Sequence, residues 1–178
     1  MLEEAIQYGR LGWKVFPMNR RSPALIDWQE RATSDPVGIL KLFEVPYRMG
    51  IGLVTGEKNG LTVVDVKDSR NGFRTMDELG IYDIQFQKTP CFNNRTGGRR
   101  YFFKYCLEAV SGTEVFGRDT GIDILNDGTF SFLPLSIHPE NGRSIKWIPG
   151  QGPAEVDVAP FPLTFLAVYL QPYNWWRH

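Results

Sequence analysis

The stretch Gly60-Leu61-Thr62-Val63-Val64-Asp65-Val66-Lys67 decides how this chain is read. Its central residues are apolar or β-branched without a break, the pattern of a short strand buried on both faces. Successive strand side chains point to opposite faces, so Asp65 and Lys67 project from the same side. Two carboxylates in that arrangement suit a divalent metal, because hard cations take oxygen ligands. Here the second position is a cation instead.

Working outward, the spacing predicts a helix over 2–11 that stops at Gly12, then a short strand over 13–17 closed by Pro17. Residues 18–33 read as a polar, irregular connection. Ser34-Asp35-Pro36 predicts a helix start, a capping side chain followed by proline at the first helical position, with the helix running to about residue 44. The apolar runs 50–55 and 61–66 flank Gly56-Glu57-Lys58-Asn59-Gly60 and are expected to pair as a hairpin. Asn71-Gly72 leads into a short helix over 73–79. Strands are expected over 91–94 and 101–105, around Thr96-Gly97-Gly98. A further hairpin is expected from 122–125 and 129–133, turning at Asn126-Asp127-Gly128. A strand over 144–148 and a last helix over 161–170 complete the pattern. This is an α+β chain dominated by antiparallel strands, without the strand–helix alternation of a doubly wound sheet.

The 178 residues are 42% hydrophobic and 13% aromatic, enough for a real core and not the composition of a disordered chain. One domain over 1–171 and a tail over 172–178 are expected. Twenty Lys and Arg balance twenty Asp and Glu, so any nucleic-acid binding must use a local patch and not a bulk basic excess. Cys91 and Cys106 are too few for a cysteine-built zinc site or a disulfide framework and read as reduced thiols. Met1-Leu2-Glu3-Glu4-Ala5 is acidic and lacks an apolar h-region, so no signal peptide is expected. The apolar stretch 161–170 is far short of the roughly 20 residues of a membrane span, and a cytoplasmic location is expected.

A series of segments then falls into a familiar order: Gly12-Trp13-Lys14-Val15-Phe16-Pro17, Ala32-Thr33-Ser34-Asp35-Pro36, Gly50-Ile51-Gly52-Leu53-Val54-Thr55-Gly56 and the Asp65 strand. After them come Gly97-Gly98-Arg99-Arg100-Tyr101-Phe102, Gly121-Ile122-Asp123-Ile124, Leu133-Pro134-Leu135-Ser136-Ile137-His138-Pro139 and Gly142-Arg143. From residue 5 to about residue 170 the chain resembles the bifunctional primase-polymerase domain of the archaeo-eukaryotic primase superfamily. The resemblance implies an RRM-like antiparallel catalytic sheet packed with a small α/β module, and an active site in the cleft between them. It also implies nucleotidyl transfer with two divalent metals, Mg or Mn, if the centre is active, and no cofactor if it is not. Nucleotides, single-stranded or primer-template nucleic acid, and a replicative helicase of a mobile-element system are the implied partners.

In the family the first motif supplies two acids, the second a histidine after Gly-Gly-x, and the third one more acid. Asp65 matches the first acid and Asp123 the third-motif acid, which makes them the catalytic and metal-binding candidates here. Lys67 stands where the second acid belongs and Arg100 where the histidine belongs. Both departures are toward positive charge. Lys67, Arg99, Arg100 and His138 become candidates for binding the phosphates of a nucleotide.

The cost of these departures follows from electrostatics alone. At about 4 Å and an effective dielectric near 20, each unit-charge pair is worth roughly 4 kcal/mol, and exchanging an acid for a base reverses its sign. Asp68 supplies an alternative third acid if a bulge turns it into the site. Three readings therefore stand open: a lapsed centre that still binds nucleotide or nucleic acid, an active enzyme using Asp65, Asp68 and Asp123, and a protein-interaction module without nucleic-acid binding. A closed ionic cluster, with both acids paired to Lys67 and Arg100, is the alternative to a metal centre. The run 95–105 carries Arg95, Arg99, Arg100 and Lys104 among aromatics that read as core.

Overall fold

The computed structural model describes residues 1–45, 49–94, 97–135 and 145–171. It is an α+β structure built on two four-stranded antiparallel sheets. Helix α1 (Leu2–Arg10) leads into β1 (Val15–Asn19), the short β2 (Ser22–Pro23), α2 (Trp28–Arg31) and α3 (Pro36–Leu42). Strand β3 (Gly50–Val54) is followed by β4 (Leu61–Val66), α4 (Gly72–Glu78), β5 (Cys91–Asn93) and β6 (Arg99–Lys104). Strands β7 (Ile122–Leu125) and β8 (Phe130–Leu133) precede α5 (Leu163–Tyr169).

The α3 start follows its sequence. Asp35 is the N-cap, its carboxylate accepts from the Gly38 N–H at 2.7 Å, and Pro36 opens the first turn. Residues 18–33, by contrast, are more ordered than their polar composition suggests. They hold β2, α2 and the Trp28 ring, which packs against Phe16 and Phe130.

The first sheet runs β2-β1-β3-β8 and the second β5-β6-β4-β7. Counted in chain order within the second sheet, its strands lie as 4-1-3-2 with α4 after the first, which is the RRM-like arrangement. The two expected hairpins at 50–66 and 122–133 are not hairpins. Strand β3 pairs with β1 and β8, whereas β4 pairs with β6 and β7, so each connection crosses from one sheet to the other. Asparagine side chains bonded to backbone outside each turn cause this. After a single Gly56–Leu61 bridge, the Asn59 amide ties the turn to the Lys14 and Val54 carbonyls. At the other corner Asn126 is almost fully buried. Its amide donates to the Cys106 and Ala109 carbonyls and its side-chain oxygen accepts from Thr62. An exposed Asn-Asp-Gly would turn a hairpin; a buried, fully bonded asparagine anchors a corner. The expected strand at 144–148 reduces, over its described residues, to one bridge between Trp147 and Phe92.

The alternation of β4 divides the core. Leu61 and Val63 face the first sheet and pack with Trp13, Ile39, Ile51, Leu53, Phe92, Phe102 and Leu133. Val64 and Val66 face the other way, into Met76, Phe86, Tyr101, Phe103, Ile122, Ile124 and Phe165. Tyr101, Phe102 and Phe103 are thus core residues on both faces of the second sheet. Cys91 and Cys106 are buried free thiols, and burial pushes the Cys91 thiol up to about 12.

Gly98 brings the β5–β6 turn hard against the end of β4: a Cβ there would stand 1.8 Å from the Val66 carbonyl oxygen and 2.8 Å from the Asp68 nitrogen. Backbone cannot yield as a flexible side chain does. Gly98→Ala is expected to destabilise the chain by about 2–3 kcal/mol, read as a lowered urea midpoint.

Candidate functional site

The inner face of the second sheet ends in a polar rung. In the register of β4 with its neighbours, Asp65 lies opposite Arg100 on β6 and opposite Asp123 on β7. All three are buried, at 4%, 7% and 5% exposure, where an unpaired charge would be severely penalised. The Arg100 guanidinium donates to Asp65 Oδ2 at 2.5 Å and, through Nη1, to Ser131 Oγ at 3.2 Å on β8 of the facing sheet. Its plane lies over the Phe132 ring, with Cζ 4.2 Å from the centroid. Lys67, one residue past β4, ion-pairs with Asp123 Oδ2.

The remaining carboxylate oxygens are also engaged. Asp65 Oδ1 accepts from the Asn94 amide at 2.8 Å, and the same amide nitrogen holds the Val66 carbonyl. Asp123 Oδ1 accepts from the Glu114 backbone N–H at 3.0 Å. Burial pushes the Asp65 carboxyl up, but the Arg100 charge and hydrogen bond, the Asn94 amide and the Lys67 charge outweigh it and hold the group below its ordinary value of 3.8. The Asp119 N–H, the Arg70 guanidinium and the Lys67 charge keep the Glu114 carboxyl low against the opposing effect of desolvation.

The structure brings Asp65, Lys67, Arg100 and Asp123 together. Arg99 follows the alternation of β6 to the opposite face, beside Tyr101, and is exposed. Asp68 opens a 3-10 turn, is exposed, and has its carboxylate near the Gly97 turn. Among the described residues it forms no ion pair with the cluster. His138 and Arg95 lie outside the described residues. Sequence reasoning missed Asn94, Ser131 and the Glu114 amide. A serine inside Phe130-Ser131-Phe132-Leu133 is a usable signal, since a buried hydroxyl in an apolar strand needs a partner. Glu114 acts through its backbone, which no residue type announces.

An α+β fold with an RRM-like sheet, with an acid on the central strand β4 beside another on the edge strand β7, is the architecture of a nucleotidyltransferase-type domain. The family model of the N-terminal domain of bifunctional DNA primase/polymerase matches residues 5–163, and the chain belongs to that family. No curated relative matches the chain. No helix among the described residues is long and apolar enough to cross a membrane.

Primases and polymerases of this family typically use divalent metals, and the donor set here does not fit them. Each oxygen of Asp65 and Asp123 already accepts a protein hydrogen bond, and each acid is paired with a cation of its own, Asp65 with Arg100 and Asp123 with Lys67. Among the described residues no group of three or more His, Cys, Asp or Glu side chains is placed to hold a metal ion.

Two outcomes follow from the pairing. Arg100→Ala strands the Asp65 carboxylate and is expected to cost about 3–5 kcal/mol in urea unfolding, whereas the double change Asp65→Asn with Arg100→Met costs clearly less. Because the folded-state pKa of Asp65 lies below its unfolded value, its stabilisation is complete above about pH 4 and is lost as pH falls through the folded value. Asp65→Asn is therefore expected to flatten the acid limb of a stability–pH profile.

Proposed function

We propose that this chain is a primase-polymerase-family domain that retains nucleotide or nucleic-acid binding while metal-dependent nucleotidyl transfer has lapsed. The observation that carries the reading is the engagement of all four carboxylate oxygens of Asp65 and Asp123 by protein donors. Two-metal transfer needs one ion to activate the attacking hydroxyl and another to steady the leaving oxygens. A Lys ammonium and an Arg guanidinium neutralise phosphate charge but generate no alkoxide. On this reading the partners are nucleotides and single-stranded or primer-template nucleic acid. The setting is the replication system of a mobile element, alongside a replicative helicase.

The test is primer extension and de novo primer synthesis by the purified chain with Mn²⁺. No product is expected from the unmodified protein. Lys67→Asp combined with Arg100→His is expected to gain Mn²⁺-dependent extension that Asp65→Ala abolishes. Mn²⁺-supported synthesis by the unmodified chain, lost on Asp65→Ala, would overturn the reading.

A further inference from the structure

We infer that the rim of the Asp65–Lys67–Arg100–Asp123 cluster takes a nucleoside triphosphate as the free, metal-unliganded anion, with the Lys67 ammonium in the place of the divalent ion such a ligand ordinarily carries. This rests on the reading that nucleotide binding is retained.

An ammonium carries three N–H donors, and among the described residues Lys67 commits one of them to Asp123. Among the same residues Arg100 Nε is buried without an acceptor. On the acceptor side each oxygen of Asp65 and Asp123 already has a donor. Each of those oxygens keeps a second lone pair, but the two acid side chains are only 6% and 8% exposed, whereas that of Lys67 is 23% exposed. The capacity within reach of a ligand is therefore the spare N–H groups of Lys67, which take oxygen acceptors.

Two acids and two cations make the cluster formally neutral. A magnesium–triphosphate complex would set its metal beside the Lys67 ammonium, like charge against like in a partly dehydrated site. The free triphosphate presents its oxygens to the same ammonium with the favourable sign.

The Lys67 side chain is 23% exposed, against 9% for Arg100, so the ammonium is the group at the rim that an incoming anion meets first. Nearby Glu114 does not claim its spare donors: that carboxylate is held by Arg70 and by the Asp119 N–H.

The test is titration calorimetry of the full chain with dATP, in excess EDTA and in Mg²⁺, with inorganic triphosphate as the base-free probe. Binding of dATP is expected in EDTA, with Mg²⁺ weakening it. Lys67→Ala should weaken the EDTA affinity by about tenfold, with Lys67→Arg staying within about threefold. Lys67→Asp should reverse the sign of the Mg²⁺ effect. Binding of dATP only with Mg²⁺, or unchanged affinity in a folded Lys67→Ala, overturns this inference and leaves nucleotide binding itself standing. No dATP binding in either condition overturns the underlying reading as well. If Lys67→Ala does not fold, the sign of the Mg²⁺ effect on the unmodified chain decides alone. Loss of triphosphate binding with dATP binding kept would place the contact on the base and also overturn it.

Discussion

The ion pair between Asp65 and Arg100 is the contact around which the two sheets are arranged. Arg100 leaves β6, meets Asp65 on the neighbouring strand, and reaches across to Ser131 on the facing sheet with its plane against Phe132. A buried carboxylate and a buried guanidinium each carry a large desolvation cost, offset only by near-ideal pairing and by hydrogen bonds to what remains. The surroundings supply those bonds: the Asn94 amide, the Ser131 hydroxyl, and the register that puts both residues on one rung. Gly98 shares in this arrangement. Its missing side chain lets the turn beside Asn94 lie against the end of β4, where Asn94 bridges Asp65 and the Val66 carbonyl.

The interactions that make the acids tolerable in the core also withdraw them from metal. A metal centre needs carboxylate oxygens with free lone pairs converging on one point, kept apart by the ion itself. In this chain each acid is neutralised by a side-chain cation of the protein. Asp65, Asp123, Lys67 and Arg100 form a formally neutral, hydrogen-bonded network in which the Lys67 side chain is the most exposed.

Much of the fold is legible in local patterns. The Asp35 cap, the apolar β4 run and the alternation that separates Asp65 from Val64 and Val66 follow from residue type and spacing. The two connections read as hairpins fail for an identifiable reason. Gly56-Glu57-Lys58-Asn59-Gly60 and Asn126-Asp127-Gly128 have turn composition, but Asn59 and Asn126 spend their amides on distant backbone. Whether an asparagine is exposed in a turn or anchored in a corner depends on what folds over it, and the local sequence does not contain that. The site behaves in the same way. Arg99 and Arg100 look equivalent as a dipeptide, yet one faces outward beside Tyr101 and the other is sealed between the sheets.

By itself the sequence determined the family and the antiparallel α+β class. It also determined that Asp65 and Lys67 share a face, because the two-residue period of a strand is local geometry. Only the tertiary structure decided which cation neutralises which acid. Asp65 and Arg100 are 35 residues apart, and Lys67 and Asp123 are 56 apart. Their pairing depends on strand register, and register is set by how both sheets bury their apolar faces together.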